Sequence, residues 1–505
     1  MLYSWLATSF NLPSTWKTER VLLNFAAVDY EATVFVNGYN VTFHRGGYFA
    51  FAVDVTHYLK SNGTNELLVF VHDPTDSDGY VIPIGKQTLR PSHIFYTPCS
   101  GIWQSVWIES APSNYITQLD ISAGMDGQGV PPSRTNSSNP LTDVVNTTVS
   151  SSRNAGVPVK IAVIDRNSKE TIATHSGTSD VQCTFSVPFV NLWSPHSPTL
   201  YDITVTLRDD EVTSYTGFRT ISRGKVNGIE RPLLNGKFVF QFGTLDQGFW
   251  PDGIYLPPNR EAMVYDLGVL KELGFNMLRK HIKVEPALFY QACDEMGILL
   301  FQDMPSLRPL QQKTLDNCTV VTILPGAAQQ DEFARQLELL ILDPTRLVDS
   351  TSGWYDHGAG DFSDNHHYAN PQCGSPFYSI PSSPYDPGRI GIQGEFGGIG
   401  QNVSIEHLWN IKDAIDTINQ TYEIDTSIEA WNYRGHRLLG ELLDQVNFYS
   451  CSGGIWTQTT DVEGEVNGLL TYDRRVLRPH VRQWQADIQS LYDAASSRSN
   501  NSMVS

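Results

Sequence analysis

Basic residues are scarce in this 505-residue chain: 35 Lys and Arg stand against 54 Asp and Glu, for a formal net charge of -19 at pH 7. Such a surface repels phosphate backbones and anionic bilayers, and with no basic stripe it excludes nucleic acid as a partner. Long apolar runs are missing as well. None approaches the ~18 to 20 residues of a membrane span, so no membrane partner is expected. The six cysteines (Cys99, Cys183, Cys293, Cys318, Cys373 and Cys451) show neither CxxC nor zinc-finger spacing. This argues against a metal site and leaves buried thiols and one or two disulfides as alternatives. There is no GxSxG, Walker A or GxGxxG fingerprint, so serine-hydrolase, phosphate-loop and dinucleotide-binding readings have no direct support. No fixed-period repeat is visible. The first residues, Met1-Leu-Tyr-Ser-Trp, lack the charged and apolar regions of a signal peptide and read as a strand entered partway.

What is present is enough apolar material for several cores: 40% hydrophobic and 11% aromatic residues, or roughly three domains at ~150 residues each. Eight Asn-x-Ser/Thr sequons, at Asn40, Asn62, Asn136, Asn146, Asn317, Asn402, Asn419 and Asn500, lean weakly to secretion, because chance supplies about half of such a number. The compartment stays open between secreted and intracellular.

From Arg20 to Glu109, short runs such as Ala32-Thr-Val-Phe-Val and Leu67-Leu-Val-Phe-Val, broken at Asn37-Gly38 and Asn62-Gly63, predict an antiparallel β-sandwich. A second β region, Tyr115 to Ser222, carries a polar loop at Pro131 to Pro140 and fits an immunoglobulin-like sandwich. After Leu233 strand and helix alternate: Phe238 to Phe242, Arg260 to Leu273, Asn276 to Arg279, Glu285 to Met296, Ile298 to Phe301. That rhythm predicts a (β/α)8 barrel, with an open doubly wound sheet as the alternative that periodicity leaves standing. The expected division is 1–112, 113–222 and 223–492, with a disordered tail at 493–505.

Barrel enzymes place their chemistry where strands end, so polar residues following apolar runs are the candidates. Arg389 to Gln393 runs into Gly394-Glu395-Phe396-Gly397-Gly398, a carboxylate among glycines that let a sugar ring approach the backbone. Asn276-Met-Leu precedes Arg279-Lys280-His281. Asp364, His366 and Tyr368 alternate onto one strand face, a polar face suited to gripping hydroxyls. A metal reading of His366 and His367 is poor, since neighbours on a strand point apart and no HExxH helix exists. Gly453 to Gln458 offers Trp456 as an aromatic platform, with Asp461 and Glu463 beyond it.

Taken in order, these junctions resemble family 2 glycoside hydrolases of the β-galactosidase, β-glucuronidase and β-mannosidase group. The likeness extends to Val34-Phe-Val-Asn37-Gly38, His44 to Phe49 and Ser100-Gly101-Ile-Trp103-Gln104-Ser-Val in the first region. Leu192-Trp193-Ser194-Pro195, Leu200-Tyr201 and Gly217-Phe218-Arg219 carry it in the second. Leu234 to Lys237, Phe275-Asn276, Cys293-Asp294-Glu295-Met296-Gly297 and Asp343-Pro344-Thr345-Arg346 carry it in the third. The resemblance implies a jelly-roll sugar-binding sandwich, an immunoglobulin-like sandwich and a TIM barrel. It implies a carbohydrate substrate, no cofactor, a retaining double displacement, Glu395 as nucleophile and Arg279, His281, Asp364, His366, Tyr368 and Trp456 as substrate-site lining. Oligomeric state is left open.

One element of the family pattern is missing. Its acid/base Glu follows Asn at the end of the fourth barrel strand, yet the only Asn-Glu pair here is Asn65-Glu66, in the first sandwich. Where the motif belongs, the predicted helix Ala327 to Ile341 runs straight into Leu342-Asp343-Pro344. A strand, its following helix and the acid are therefore expected to be absent, leaving the barrel incomplete; a gene-model or splicing omission at this join would account for it. Asp356, Asp361 and Asp364 are the poor substitutes available. Beside a glycosidase stand two rivals: a catalytically impaired carbohydrate-binding relative, and a purely structural β scaffold.

Overall fold

The computed structural model describes the chain except for residues 1, 15, 17–19, 61, 78–79, 126–141, 153–155, 308–310, 314–319, 323–326, 341–345, 351, 377–380, 402, 410–422 and 501–505. The Pro131 to Pro140 loop, the Ile341–Leu342 join, Cys318 and the sequons at Asn136, Asn317, Asn402 and Asn419 lie outside the described residues.

In the first region, a four-stranded sheet (Leu2–Phe10, Asn65–Asp73, Glu31–Val36, Tyr39–Arg45) faces a three-stranded one (Phe51–Asp54, Arg20–Phe25, Val106–Ala111). The alternation in Glu31–Val36 buries Ala32, Val34 and Val36 against Val21, Leu23, Val69 and Val71, as a half-buried strand requires. The second region sets three strands (Ile116–Met125, Thr142–Ser151, Cys183–Pro188) against four (Thr171–Thr178, Pro158–Asp165, Tyr201–Leu207, Asp210–Thr216) around Val145, Ile161, Ile203 and Phe218. A small antiparallel meander, Ile221–Val226, Ile229–Leu234 and Lys237–Phe238, then leads out of it.

The third region is built on a six-stranded, wholly parallel sheet: Gln241–Asp246, Met277–Lys280, Leu299–Gln302, Phe362–His366, Ile390–Gly397 and Cys451–Thr457. Numbered one to six along the chain, these strands lie in the order 3-2-1-6-5-4. A doubly wound sheet would place the fourth strand beside the first. Strand six beside strand one is instead the order of a ring opened between strands three and four. The sheet is curled accordingly, because the rings of Phe301 and Phe362, one on each edge strand, meet at 5.3 Å between centroids. Among the described residues no ladder joins those two edges.

Helices cover the outer face. Arg260–Leu273 starts on Asn259, whose side chain accepts from the N–H of Ala262, and stops at Gly274 with φ of 101°, a left-handed cap that glycine adopts without steric cost. Ile428–Phe448 starts on Ser427 and packs with Val481–Asn500 through Trp431 and Trp484, rings parallel at 5.5 Å. The expected disordered tail is thus corrected for its first part: residues 493–500 continue this last helix because Leu491 and Ala495 are buried against the core. A shift of register is also found in the first barrel strand, which runs over Gln241–Asp246 and not Phe238 to Phe242. The alternating phenylalanines follow helix-facing positions, Phe240 and Phe242 both joining the outer core. Ala327–Leu340 makes its bonds to the first sandwich, Arg335 Nη2 donating to the Arg45 carbonyl at 2.9 Å.

Among the described residues the cysteine alternatives resolve into one disulfide, Cys373–Cys451, with Cys99, Cys183 and Cys293 as free thiols. The bridge spans 78 residues that include the Glu395 strand, and the chain-entropy model gives such a link about 4.5 kcal/mol through the unfolded state. Among the described residues no helix is long and apolar enough to cross a membrane.

The sandwiches are seated on the mouth and flank of the curled sheet by residues that the sequence reading had grouped separately. Trp193 Nε1 donates to the Asp294 carbonyl at 2.8 Å and Tyr215 donates to Asp294 Oδ2 at 3.0 Å, so the second sandwich grips the end of helix Ala287–Met296. From the first sandwich, Tyr48, Tyr96 and Trp103 pack with Phe249, Tyr255 and Val462. The amides of Ile84 and Gly85 both donate to the Ser306 carbonyl at 3.1 Å.

Candidate active site

Three buried strands deliver their polar side chains into the curl. Along Met277–Lys280, Met277 points inward with Leu245 and Ile455, and Arg279, two residues on, shares that side. Along Phe362–His366 the same period places Phe362 inside and brings Asp364 and His366 with it. The strand Ile390–Gly397 does not keep its period. Ile390 and Ile392 face inward, so an uninterrupted strand would turn Glu395 outward. The ladder instead pairs Asn365 with Gln393 and His366 with Glu395, leaving Gly394 as an extra residue. This β-bulge moves Glu395 to the interior and sends Phe396 out into the helix layer. Glu395 therefore lies within the strand and not in a turn after it.

Gly394 explains why the bulge has no side chain. Its N–H donates to Asp364 Oδ1 at 2.6 Å, and a Cβ would stand 2.1 Å from that oxygen. Asp364 also accepts from the Gly353 N–H at 3.0 Å and pairs with His366 Nε2 at 3.0 Å. One buried carboxylate thus fixes the bulge, the imidazole and the loop above them.

Glu395 itself is 7% exposed. Its Oε1 is 3.3 Å from Arg279 Nη1 and 3.6 Å from His366 Nδ1, and its Oε2 accepts from the Tyr368 hydroxyl. Arg279 is shared: its Nε donates to both oxygens of Asp303 at 3.1 Å, and Nη1 also donates to the Gly394 carbonyl at 3.1 Å. His281 Nδ1 is 2.9 Å from Asp303 Oδ2.

Burial alone would raise the Glu395 carboxyl, but the charges of His366 and Arg279 overrule it, with Lys86 adding to them, and bring it from 4.5 down to about 2. Asp303 goes the same way: burial raises it, and Arg279 and His281 hold it well below the usual carboxylate range. Burial lowers His366, yet Glu395 and Asp364 on either side lift it above 6.5, favouring the imidazolium. Burial and Lys86 lower His281, favouring the neutral ring.

These opposite histidines make a pH test. A raised folded pKa contributes stability that is full below 6.5 and is lost as pH rises through the higher folded value. His281, lowered, titrates below 6.5 and adds no slope above it. Melting temperature should therefore fall as pH rises above 6.5, and His366→Gln should flatten that slope; equal slopes in both proteins would refute the charged His366.

The expected site residues Arg279, His281, Asp364, His366, Tyr368 and Glu395 are brought together. Trp456 is not, and its expected role as a sugar platform is corrected. It is fully buried, with its ring against Phe396, Trp431 and Trp484 at 5.3, 6.1 and 4.9 Å. Ile455 takes the inward position, and Trp456 faces the helices. Asp461 and Glu463 are also engaged elsewhere, Asp461 on Arg478 at 2.8 Å and Glu463 on the Thr97 N–H at 2.7 Å.

Residues not anticipated complete the cluster. Asp303 follows the strand Leu299–Gln302, so the rule that found Glu395 and Arg279 would have found it too. Lys86 comes from the first sandwich, and no local pattern marks it. Trp354 stands at the rim, its ring 6.2 Å from those of both His366 and Tyr368.

Residues 3–112 match the family model of the glycosyl hydrolases family 2, sugar binding domain, and residues 136–219 match that of glycosyl hydrolases family 2. A putative β-glucuronidase of Formosa agariphila is 26% identical over 315 residues, 60% of this chain and 35% of that protein. A β-galactosidase of Thermoanaerobacter pseudethanolicus is 27% identical over 340 residues, 62% and 41% of the two. The β-glucuronidase of Rattus norvegicus is 24% identical over 367 residues, 66% and 51%. The chain thus spans between about a third and a half of the length of these curated relatives. In fold it is similar to the β-glucuronidase of Lactobacillus rhamnosus, with a TM-score of 0.69 at 18% identity over 96% of this chain and 87% of that one. It is similar also to that of Ruminococcus gnavus in complex with D-glucuronic acid, with a TM-score of 0.67 at 17% identity over 96% and 88%.

Proposed function

The chain belongs to glycoside hydrolase family 2, and from that premise we propose that it is a β-glycosidase acting on terminal β-linked sugars, with Glu395 as the carboxylate that attacks the anomeric carbon. The observation that carries this reading is the setting of Glu395: buried, and held by Arg279, His366 and Tyr368, two of which favour its anion. A nucleophile for a retaining mechanism must be a carboxylate anion, and cations around it keep it one. In this reading the 1–112 and 113–222 sandwiches support a catalytic barrel, and His281 and Asp364 orient the groups that grip the sugar. Relatives bearing the names β-glucuronidase and β-galactosidase make uronides and galactosides the first substrates to try.

The barrel is proposed to be incomplete. In support, no ladder among the described residues joins Leu299–Gln302 to Phe362–His366, and this is the stretch where the sequence lacks a strand and the acid/base Glu. The second reading, a sugar-binding relative with impaired turnover, draws on the same observation. Trapping tests the first reading without needing an acid, because fluoride departs unprotonated. Incubation with 2-deoxy-2-fluoro-β-glycosyl fluorides of the galacto and glucurono series should add one sugar to the chain, and digestion should locate it on Glu395. An adduct on another residue, or none with either series, would refute the assignment.

A further inference from the structure

We propose that Trp354, and not Trp456, is the aromatic wall on which the reacting sugar ring stacks; this deepens the glycosidase reading and rests on it. Trp354 is 47% exposed, so a face of its indole is open to a ligand. Its ring packs at a 35° tilt beside Tyr368 and edge-on, at 72°, to His366. Tyr368 donates to one oxygen of Glu395 and His366 faces the other. The indole is therefore one side chain away from the attacking carboxylate, the distance at which the glycone and not a remote part of the substrate would lie.

The backbone that carries it is fixed. The Gly353 N–H donates to Asp364 and its carbonyl accepts from the His366 N–H at 3.3 Å. Gly353 admits no side chain, since a Cβ would stand 2.3 Å from the His366 ring. The Trp354 N–H donates to the Ser352 carbonyl at 2.7 Å, and its own carbonyl accepts from Ser382 Oγ at 2.6 Å. A half-exposed indole on a loop pinned from several sides pays little ordering entropy on binding. Its flat face suits the C–H face of a pyranose, while Arg279, His366 and Tyr368 supply the polar contacts.

The test uses the full chain with Glu395→Gln, so that ligand is bound and not consumed. Calorimetric titration with p-nitrophenyl β-D-galactopyranoside and p-nitrophenyl β-D-glucuronide compares this protein with versions also carrying Trp354→Ala or Trp354→Phe. Binding of at least one probe should weaken about tenfold with Ala and recover most of the loss with Phe. In the chain with Glu395 intact, Trp354→Ala should raise KM more than it lowers kcat. Unchanged affinity in Trp354→Ala overturns the proposal and leaves the glycosidase reading in place. Failure of the Glu395→Gln protein to bind either probe overturns both.

Discussion

Glu395→Gln is expected to lower turnover of an activated aryl β-glycoside by about 10⁵-fold or more, the scale seen when the nucleophile of a covalent mechanism is removed. The substitution keeps shape and burial but removes the anion that Arg279 and His366 were arranged to hold. An amide cannot form the glycosyl ester, so the loss should fall on kcat and leave KM within a few-fold. Glu395→Gly should be rescued in part by sodium azide, because the small anion can occupy the vacated space between the same cations. The product would then be the α-configured glycosyl azide, since a single displacement from that side inverts the anomeric carbon. Unchanged turnover in Glu395→Gln would remove this residue from the role.

The site was legible to the extent that it obeys local rules. A polar residue after an apolar run located Arg279 and Glu395, and strand alternation put Asp364 and His366 on one side. The same alternation would have turned Glu395 outward; only the bulge at Gly394 turns it in, and that bulge depends on Asp364, 30 residues earlier. Trp456 went astray for the complementary reason, because the side of a fully buried strand on which a residue falls cannot be read when both sides are apolar. Lys86 and Trp354 reach the site through docking of one domain on another and through a loop pinned to a distant strand, so neither leaves a periodic trace. The two sandwiches were readable from their alternation. The order of the parallel strands was not, since helix and strand spacing is common to barrels and open sheets.

Turnover should depend steeply on the leaving group. Three carboxylates line the described site, and the charges around them hold two, Glu395 and Asp303, in the anionic form. His366 and Arg279 hold Glu395 low, Arg279 and the His281 N–H do the same for Asp303, and Asp364 already accepts from Gly394, Gly353 and His366. A general acid contributes about 10²- to 10⁴-fold, and that factor should be missing for substrates whose aglycone needs protonation. 2,4-Dinitrophenyl β-glycosides should be turned over, while alkyl β-glycosides should be slower by at least this factor beyond their intrinsic reactivity. The same deficit acts on the second step, because none of these three carboxylates is placed as the base that activates water against the glycosyl ester. Azide needs no deprotonation, so it should speed release of the intermediate and give the β-configured glycosyl azide, the anomer opposite to that from Glu395→Gly. A flat dependence on aglycone pKa, with no response to azide, would mean that a proton donor acts in this site after all.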